Sequence, residues 1–195
     1  MMSDIRGFTQ LSEQQEPTTI LTWLNEYFGA LVPLITAENG VVDKFEGDAI
    51  LAFFGILPQP LSPMESAYNA CKAAIKLLTE INRINHCREE RGEPALVTGI
   101  AINTGLVTAG GLGTTDRLNY TIIGDPVNTV QRMQDVTRGF GESGIVISQP
   151  TLDYLKDHWN EFRFENLGQH SFKGKSETVS IYRVMHVLEN EGSEI

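Results

Sequence analysis

Residues 41–55, Val41-Val42-Asp43-Lys44-Phe45-Glu46-Gly47-Asp48-Ala49-Ile50-Leu51-Ala52-Phe53-Phe54-Gly55, decide the fold. Two apolar, β-prone runs flank a tight Glu46-Gly47 corner, which predicts an antiparallel hairpin. The second arm, Ala49 to Phe54, is apolar at every position, so both of its faces are covered and the strand is central. Asp48 sits where the chain leaves the corner, held by a buried arm yet close to the sheet's edge. A carboxylate anchored so rigidly suits a divalent cation, although Asp beside Gly is also common turn chemistry.

Outward from the hairpin, helical signals stand on both sides. Pro17 opens a helix to about Asn39-Gly40, with Ile20, Leu24, Phe28, Leu31 and Ile35 on one face and Pro33 as an expected kink. Ser62-Pro63-Met64-Glu65 is a capping box, and Ala67, Cys71, Ala74, Leu78 and Ile81 form the inner stripe of a helix running to about Gly92. Strands are expected over 95–103, 106–109 and 118–123, with Gly110 to Gly113 as a flexible turn. Asp125 as N-cap and Pro126 at the first position start another helix. A short strand at 144–148, a short helix from Pro150 to about Asp157, and strands over 162–172 and 178–187 complete the domain. The first strand is short, with three residues before Asp4, which suggests a chain that begins inside a longer protein or has lost part of an edge. Residues 188–195 form an acidic tail. One α+β (α/β sandwich) domain over 1–187 is therefore expected.

Composition sets limits on function. With 195 residues, 41% hydrophobic and 21% charged, the chain suits one domain that buries roughly two-thirds of its unfolded surface. A net charge of −10 argues against nucleic-acid binding through broad phosphate neutralisation, but a bound metal can reverse the local field for a small polyanion. Cys71 and Cys87 lie sixteen residues apart in one helical pattern, about 24 Å along the axis, too far to bridge. They read as reduced thiols of a cytosolic domain. No run approaches transmembrane length and no signal-peptide pattern is present, so this domain is expected to make no membrane contact, although its parent chain could be anchored.

Several constellations suit phosphate chemistry. Asp4 is followed by Ile5-Arg6-Gly7-Phe8-Thr9, a Gly turn whose free backbone N–H groups can hold phosphate oxygens beside a carboxylate; an ordinary Asp-Gly loop is the plain alternative. Asp4 and Asp48 together could share two divalent ions that clamp attacking and leaving oxygens. His86, His158, His170 and His186 are scattered without metal-ligand spacing. Asn128 and Arg132 lie four apart on one helix face, either solvated or suited to a sugar and a phosphoryl group. Lys173, between Phe172 and Gly174, is a hairpin charge or a phosphate anchor.

Together Ser3-Asp4-Ile5-Arg6-Gly7-Phe8-Thr9, Lys44-Phe45-Glu46-Gly47-Asp48-Ala49 and Tyr120 to Met133 resemble, in order and interval, the class III nucleotide cyclase catalytic domain. Ile100-Ala101-Ile102-Asn103-Thr104-Gly105 and Phe172-Lys173-Gly174 fall where that family has a strand-turn and a phosphate-binding lysine, and the likeness spans roughly Ser3 to Val187. Asn103 stands where many relatives have His.

The resemblance implies a cyclase/palm-type fold, a ferredoxin-like βαββαβ core with additional C-terminal strands, paired head to tail as a homodimer. By the same likeness Asp4 and Asp48, helped by the Ile5 carbonyl, bind two Mg²⁺ or Mn²⁺ ions per site, and the backbone of Gly7, Phe8 and Thr9 receives the β- and γ-phosphates. From the second copy come Lys44 and Thr121 for the base, Asn128 for the ribose, Arg132 for the α-phosphate and Lys173 for the terminal phosphates. The implied reaction converts ATP to 3′,5′-cyclic AMP and pyrophosphate. An N-terminal sensor or regulatory domain in the parent chain and a cytoplasmic location are implied as well.

Lys offers only donors and Thr either role, which fits adenine N1 and its 6-amino group. Family members that use GTP resemble one another in having Glu where Lys44 stands, and the Thr points to the bacterial type of adenylyl cyclase. The competing expectations are a guanylyl cyclase, a non-catalytic nucleotide-binding domain, and a diguanylate cyclase or polymerase-palm relative. The last would show a Gly-Gly-acidic-acidic hairpin tip in place of Lys44 to Asp48.

Overall fold

The computed structural model describes residues 1–172 and 178–185. The hairpin forms as expected: β2 (Gly40–Glu46) pairs antiparallel with β3 (Ala49–Phe54) around Gly47, whose φ of 64° lies in the left-handed region that glycine adopts without strain. The strand β1 (Met2–Ile5) lies between β3 and β4 (Thr98–Ile102), so it is an interior strand rather than the remnant of an edge. Spatial order β2-β3-β1-β4, all antiparallel, is that of a ferredoxin-like core. The sheet continues through β7 (Gly144–Ser148), which runs parallel to β4, and then β9 (Val179–Met185) and β8 (Arg163–His170), giving seven strands among the described residues.

Strand alternation divides the core into two apolar layers. Ile50, Ile100, Ile102, Ile145 and Ile147 face helices α2 (Pro17–Ala37) and α3 (Pro63–Glu90). Met2, Leu51, Ala101 and Val146 face α4 (Asp125–Thr137) through Val130 and Met133. Each fully buried aliphatic side chain contributes about 2 kcal/mol. The capping box opens α3 as expected: Glu65 N–H donates to Ser62 Oγ and Ser62 N–H donates to the Glu65 carboxylate. Both cysteines are free thiols, and burial pushes Cys71 up to about 12.

Some expectations are corrected. The innermost stripe of α2 is Trp23, Tyr27, Leu31 and Ile35, at steps of four, while Leu24 and Phe28 pack at its border. The Tyr27 hydroxyl reaches Thr98 Oγ1 at 3.0 Å, which lets a phenol occupy the core. By length and composition α2 is long and apolar enough to cross a membrane, yet Tyr27, Leu31 and Ile35 are 0% exposed within the domain. The expected Gly110 to Gly113 turn is instead part of β5 (Thr108–Gly113), which pairs residue for residue with β6 (Leu118–Ile123). The reversal falls at residues 114–117, closed by Thr114 N–H to Arg117 O at 2.9 Å. Cross-strand pairing overrides the low strand preference of the glycines here. Helix α4 begins at Asp125 with Gly124 as N-cap, one residue before the expected start, and the Asp125 carbonyl accepts from Thr129 Oγ1. A six-residue helix α1 (Phe8–Glu13) follows β1 where a simple turn was expected. The short helix α5 (Gln149–Tyr154) passes into a 3-10 turn at Lys156–His158. His186 and the acidic tail lie outside the described residues.

Candidate active site

Antiparallel pairing builds the acidic pair. Ser3 lies opposite Ile50, and continuing that register places Ile5 opposite Asp48. The Ile5 N–H donates to Asp48 Oδ2 at 3.0 Å, so backbone from β1 fixes the carboxylate at the hairpin corner. Burial, then the neighbouring negative charge of Asp4, pushes the Asp48 carboxyl up to about 6. Asp4 on β1 and Asp48 at the hairpin corner set two negative charges close together, an arrangement that a cation relieves. Beyond them the chain turns at Gly7, with φ 66°, into α1. Asp4, Ile5, Gly7, Phe8, Thr9 and Asp48 all line one cleft of about 750 Å³. These are the expected metal-binding and phosphate-binding residues.

Beside this cleft lies a support that the motif spacing did not reveal. Met2, Asp4 and Arg6 alternate onto the face that α4 covers. Arg6 Nη1 lies 3.5 Å from Asp4 Oδ2, and Arg6 Nη2 donates to Gln134 Oε1 at 3.0 Å. Gln134 Nε2 in turn donates to the Met2 carbonyl at 2.6 Å, so its buried amide is satisfied at both ends. Gly99 makes room for the guanidinium, because a Cβ there would meet Arg6 Nη2 at 1.6 Å. The sequence signal was the pairing of an Arg just after β1 with an inward Gln on α4, visible once the helix face is known.

The remaining site residues stand elsewhere. Lys44 is exposed near the outer end of β2, and Thr121 is buried on β6, which packs against β2. The Thr121 hydroxyl has no hydrogen-bond partner among the described residues. Asn128 and Arg132 lie one turn apart on the outer side of α4, opposite Val130 and Met133. None of these four lines the Asp4–Asp48 cleft. Lys173 lies outside the described residues. Asn103 has a definite place: its Nδ2 donates to the Pro126 carbonyl at 3.1 Å and its Oδ1 accepts from Ser148 Oγ at 2.7 Å, tying the start of α4 to β4 and β7.

The donor set suits a hard divalent cation. Asp4, Asp48 and the adjacent Ile5 carbonyl offer oxygen alone, and no group of three or more His, Cys, Asp or Glu forms a competing site among the described residues. Protein oxygens of this number leave coordination positions for a phosphate ligand. A separate cavity of about 90 Å³, lined by residues such as Leu51, Ile102, Val127 and Val130, carries no titratable side chain. It shares no lining residue with the Asp4–Asp48 cleft.

Comparison with known proteins agrees with the geometry. The family model for the adenylate and guanylate cyclase catalytic domain matches residues 1–186. Adenylate cyclase 1 of Rhizobium meliloti is 30% identical over 188 residues, which are 96% of this chain and 27% of that protein. The crystal structure of the guanylyl cyclase Cya2 matches at TM-score 0.84 and 31% identity, covering 97% of this chain and 92% of that one. The adenylyl cyclase CyaB from P. aeruginosa matches at TM-score 0.83 and 30% identity, covering 98% and 94%. The chain spans between 8% and 36% of the length of the curated relatives it matches first. With an acidic pair across β1 and β3, a ferredoxin-like sheet and a family match along nearly its whole length, the chain belongs to the class III adenylyl and guanylyl cyclase catalytic domains.

Proposed function

We propose that residues 1–187 act as an adenylyl cyclase catalytic domain that works as a homodimer, converting ATP to 3′,5′-cyclic AMP and pyrophosphate. One observation carries the reading: Asp4 and Asp48 meet beside the Gly7 turn, while Lys44, Thr121, Asn128 and Arg132 all lie outside that cleft. A second copy is then needed to complete each site, and two-fold symmetry gives two sites per dimer. The ribbon of β5 and β6 supports such pairing, because Leu106, Leu112, Leu118 and Ile123 on or beside it are more than half exposed.

Asp4, Asp48 and the Ile5 carbonyl would hold two Mg²⁺ or Mn²⁺ ions. Bound there, such ions supply Lewis acidity that eases ionisation of a ribose hydroxyl and offsets triphosphate charge. Backbone N–H groups of Gly7, Phe8 and Thr9 would hold β- and γ-phosphate oxygens, and Lys173 would add a cation at the same end. Asn128 would orient the ribose so that its 3′-oxygen faces the α-phosphorus. As the O3′–P bond forms and the bond to pyrophosphate breaks, Arg132 would meet the charge growing on the α-phosphoryl oxygens. Lys44 and Thr121 would read the adenine edge, which presents one acceptor and one amino donor.

The parent chain would carry a sensor or regulatory domain before this one, and the domain would face the cytoplasm. A cyclase assay with ATP and with GTP under Mg²⁺ and Mn²⁺, alongside sedimentation, tests the reading. Cyclic AMP from a dimer is expected. Preference for GTP would replace the substrate, and no cyclic product from either nucleotide would remove the reading.

A further inference from the structure

Asp43 is the residue between the hairpin's apolar arm and Lys44, and it is placed unusually. The β2–β3 ladder pairs Val42 with Ala52 and Lys44 with Leu51, so Asp43 is an extra residue in a bulge. Consecutive side chains on a regular strand point to opposite faces, which would hold Asp43 and Lys44 apart. A bulge breaks that alternation and re-aims a side chain. Here Asp43 Oδ2 comes to 3.1 Å from Lys44 Nζ. The Asp43 side chain is 0% exposed, and neither of its oxygens accepts a hydrogen bond among the described residues. A carboxylate taken fully out of water is costly unless it is paired, and the ammonium of its own neighbour is the partner at hand.

We propose that Asp43 is a positioning residue for purine selection: its buried carboxylate tethers the Lys44 ammonium and so fixes where that donor meets the nucleobase. This rests on the reading of Lys44 as a contact to the base. A lysine has a flexible four-carbon stem and three rotatable donors, so left free it is a poor discriminator of position. Held by charge 3.1 Å from the carboxylate, the ammonium has its N–H donors free to aim at an acceptor, as N1 of a 6-amino purine offers. A 6-oxo purine carries N–H at that position and meets the fixed cation with a donor, so the tether disfavours it. Asp43 touches no substrate in this account and acts through Lys44.

The test is a double-mutant cycle with the homodimer, measuring initial rates on ATP and GTP for wild type, Asp43→Ala, Lys44→Ala and the double variant. Asp43→Asn, which keeps the shape and removes the charge, is carried in parallel in case the Ala variant folds poorly. Expected is about a tenfold fall in the ATP-to-GTP ratio of kcat/KM on losing the Asp43 charge, carried mainly by KM for ATP. In the Lys44→Ala background the same change should leave the ratio unmoved. An equal loss for both nucleotides, persisting without Lys44, would show a structural role alone and overturn the proposal. So would a ratio that falls with Lys44→Ala yet is untouched at Asp43, which leaves the lysine's own role standing. If Lys44→Ala does not move the ratio, the base-reading role of Lys44 fails and the proposal falls with it.

Discussion

At the scale of single residues, two acids and one arginine divide the work. Asp48 is held by the Ile5 N–H and repelled by Asp4, and its carboxyl is pushed up to about 6 from an ordinary value of 3.8. A raised native pKa means the folded domain binds a proton more tightly than the unfolded chain. The ionised pair therefore costs stability, fully above about 6 and not below 3.8. Asp48→Asn should thus melt about 2–4 °C above wild type at neutral pH without metal, as read by calorimetry, while cyclase activity is lost. A lower melting point would mean that the carboxylate stabilises the corner after all. Arg132, on the outer side of α4, is expected to act late. Arg132→Ala should lower kcat by about 10²–10³ with little change in KM for ATP; a large KM effect at normal kcat contradicts that role.

Among the elements, the C-terminal end of α2 is clamped to the middle of α3 by one acid. Glu38, just after α2, lies 3.1 Å from Lys72 Nζ and also pairs with Lys76 on α3. Burial works to raise the Glu38 pKa, but the two ammonium groups outweigh it and the net shift is downward. A depressed native value gives stability that is present above about 4.5 and fades as pH falls through the native pKa. Glu38→Gln should lower the melting temperature by about 2–4 °C at neutral pH, the effect of roughly 1 kcal/mol. The gap to wild type should close in acid; a gap constant down to pH 3 would point to packing instead.

The same scale shows what could be read in advance. The hairpin was legible because two β-prone runs flank a glycine corner, and α3 because its capping box and apolar stripe agree. Helix α1 was not, since Phe8–Glu13 is too short to show an apolar period. Strand β5 was hidden by its glycines, whose state is set by pairing with β6 across a reversal that no local signal marks. Asp4 and Asp48 were legible as a pair once the family motifs lined up. The Arg6–Gln134 support and the bulge at Asp43 depend on helix facing and strand register, neither of which a linear motif carries.

For the whole molecule, the central claim is that each site is shared between two copies. The acidic cleft belongs to one face of the chain, and Arg132 lies outside it. Exposed leucines on the β5–β6 ribbon leave an apolar surface for the second copy. The direct test is complementation: mix the inactive Asp48→Asn protein with the inactive Arg132→Ala protein under conditions that exchange subunits, and measure cyclic AMP formation. Half of the dimers should then be mixed, each with one intact site, so activity should return to roughly a quarter of wild type. If mixed dimers form, as a tag-based pull-down would establish, yet activity stays at the level of the separate variants, then Asp48 and Arg132 do not serve one site from two chains and the account is wrong.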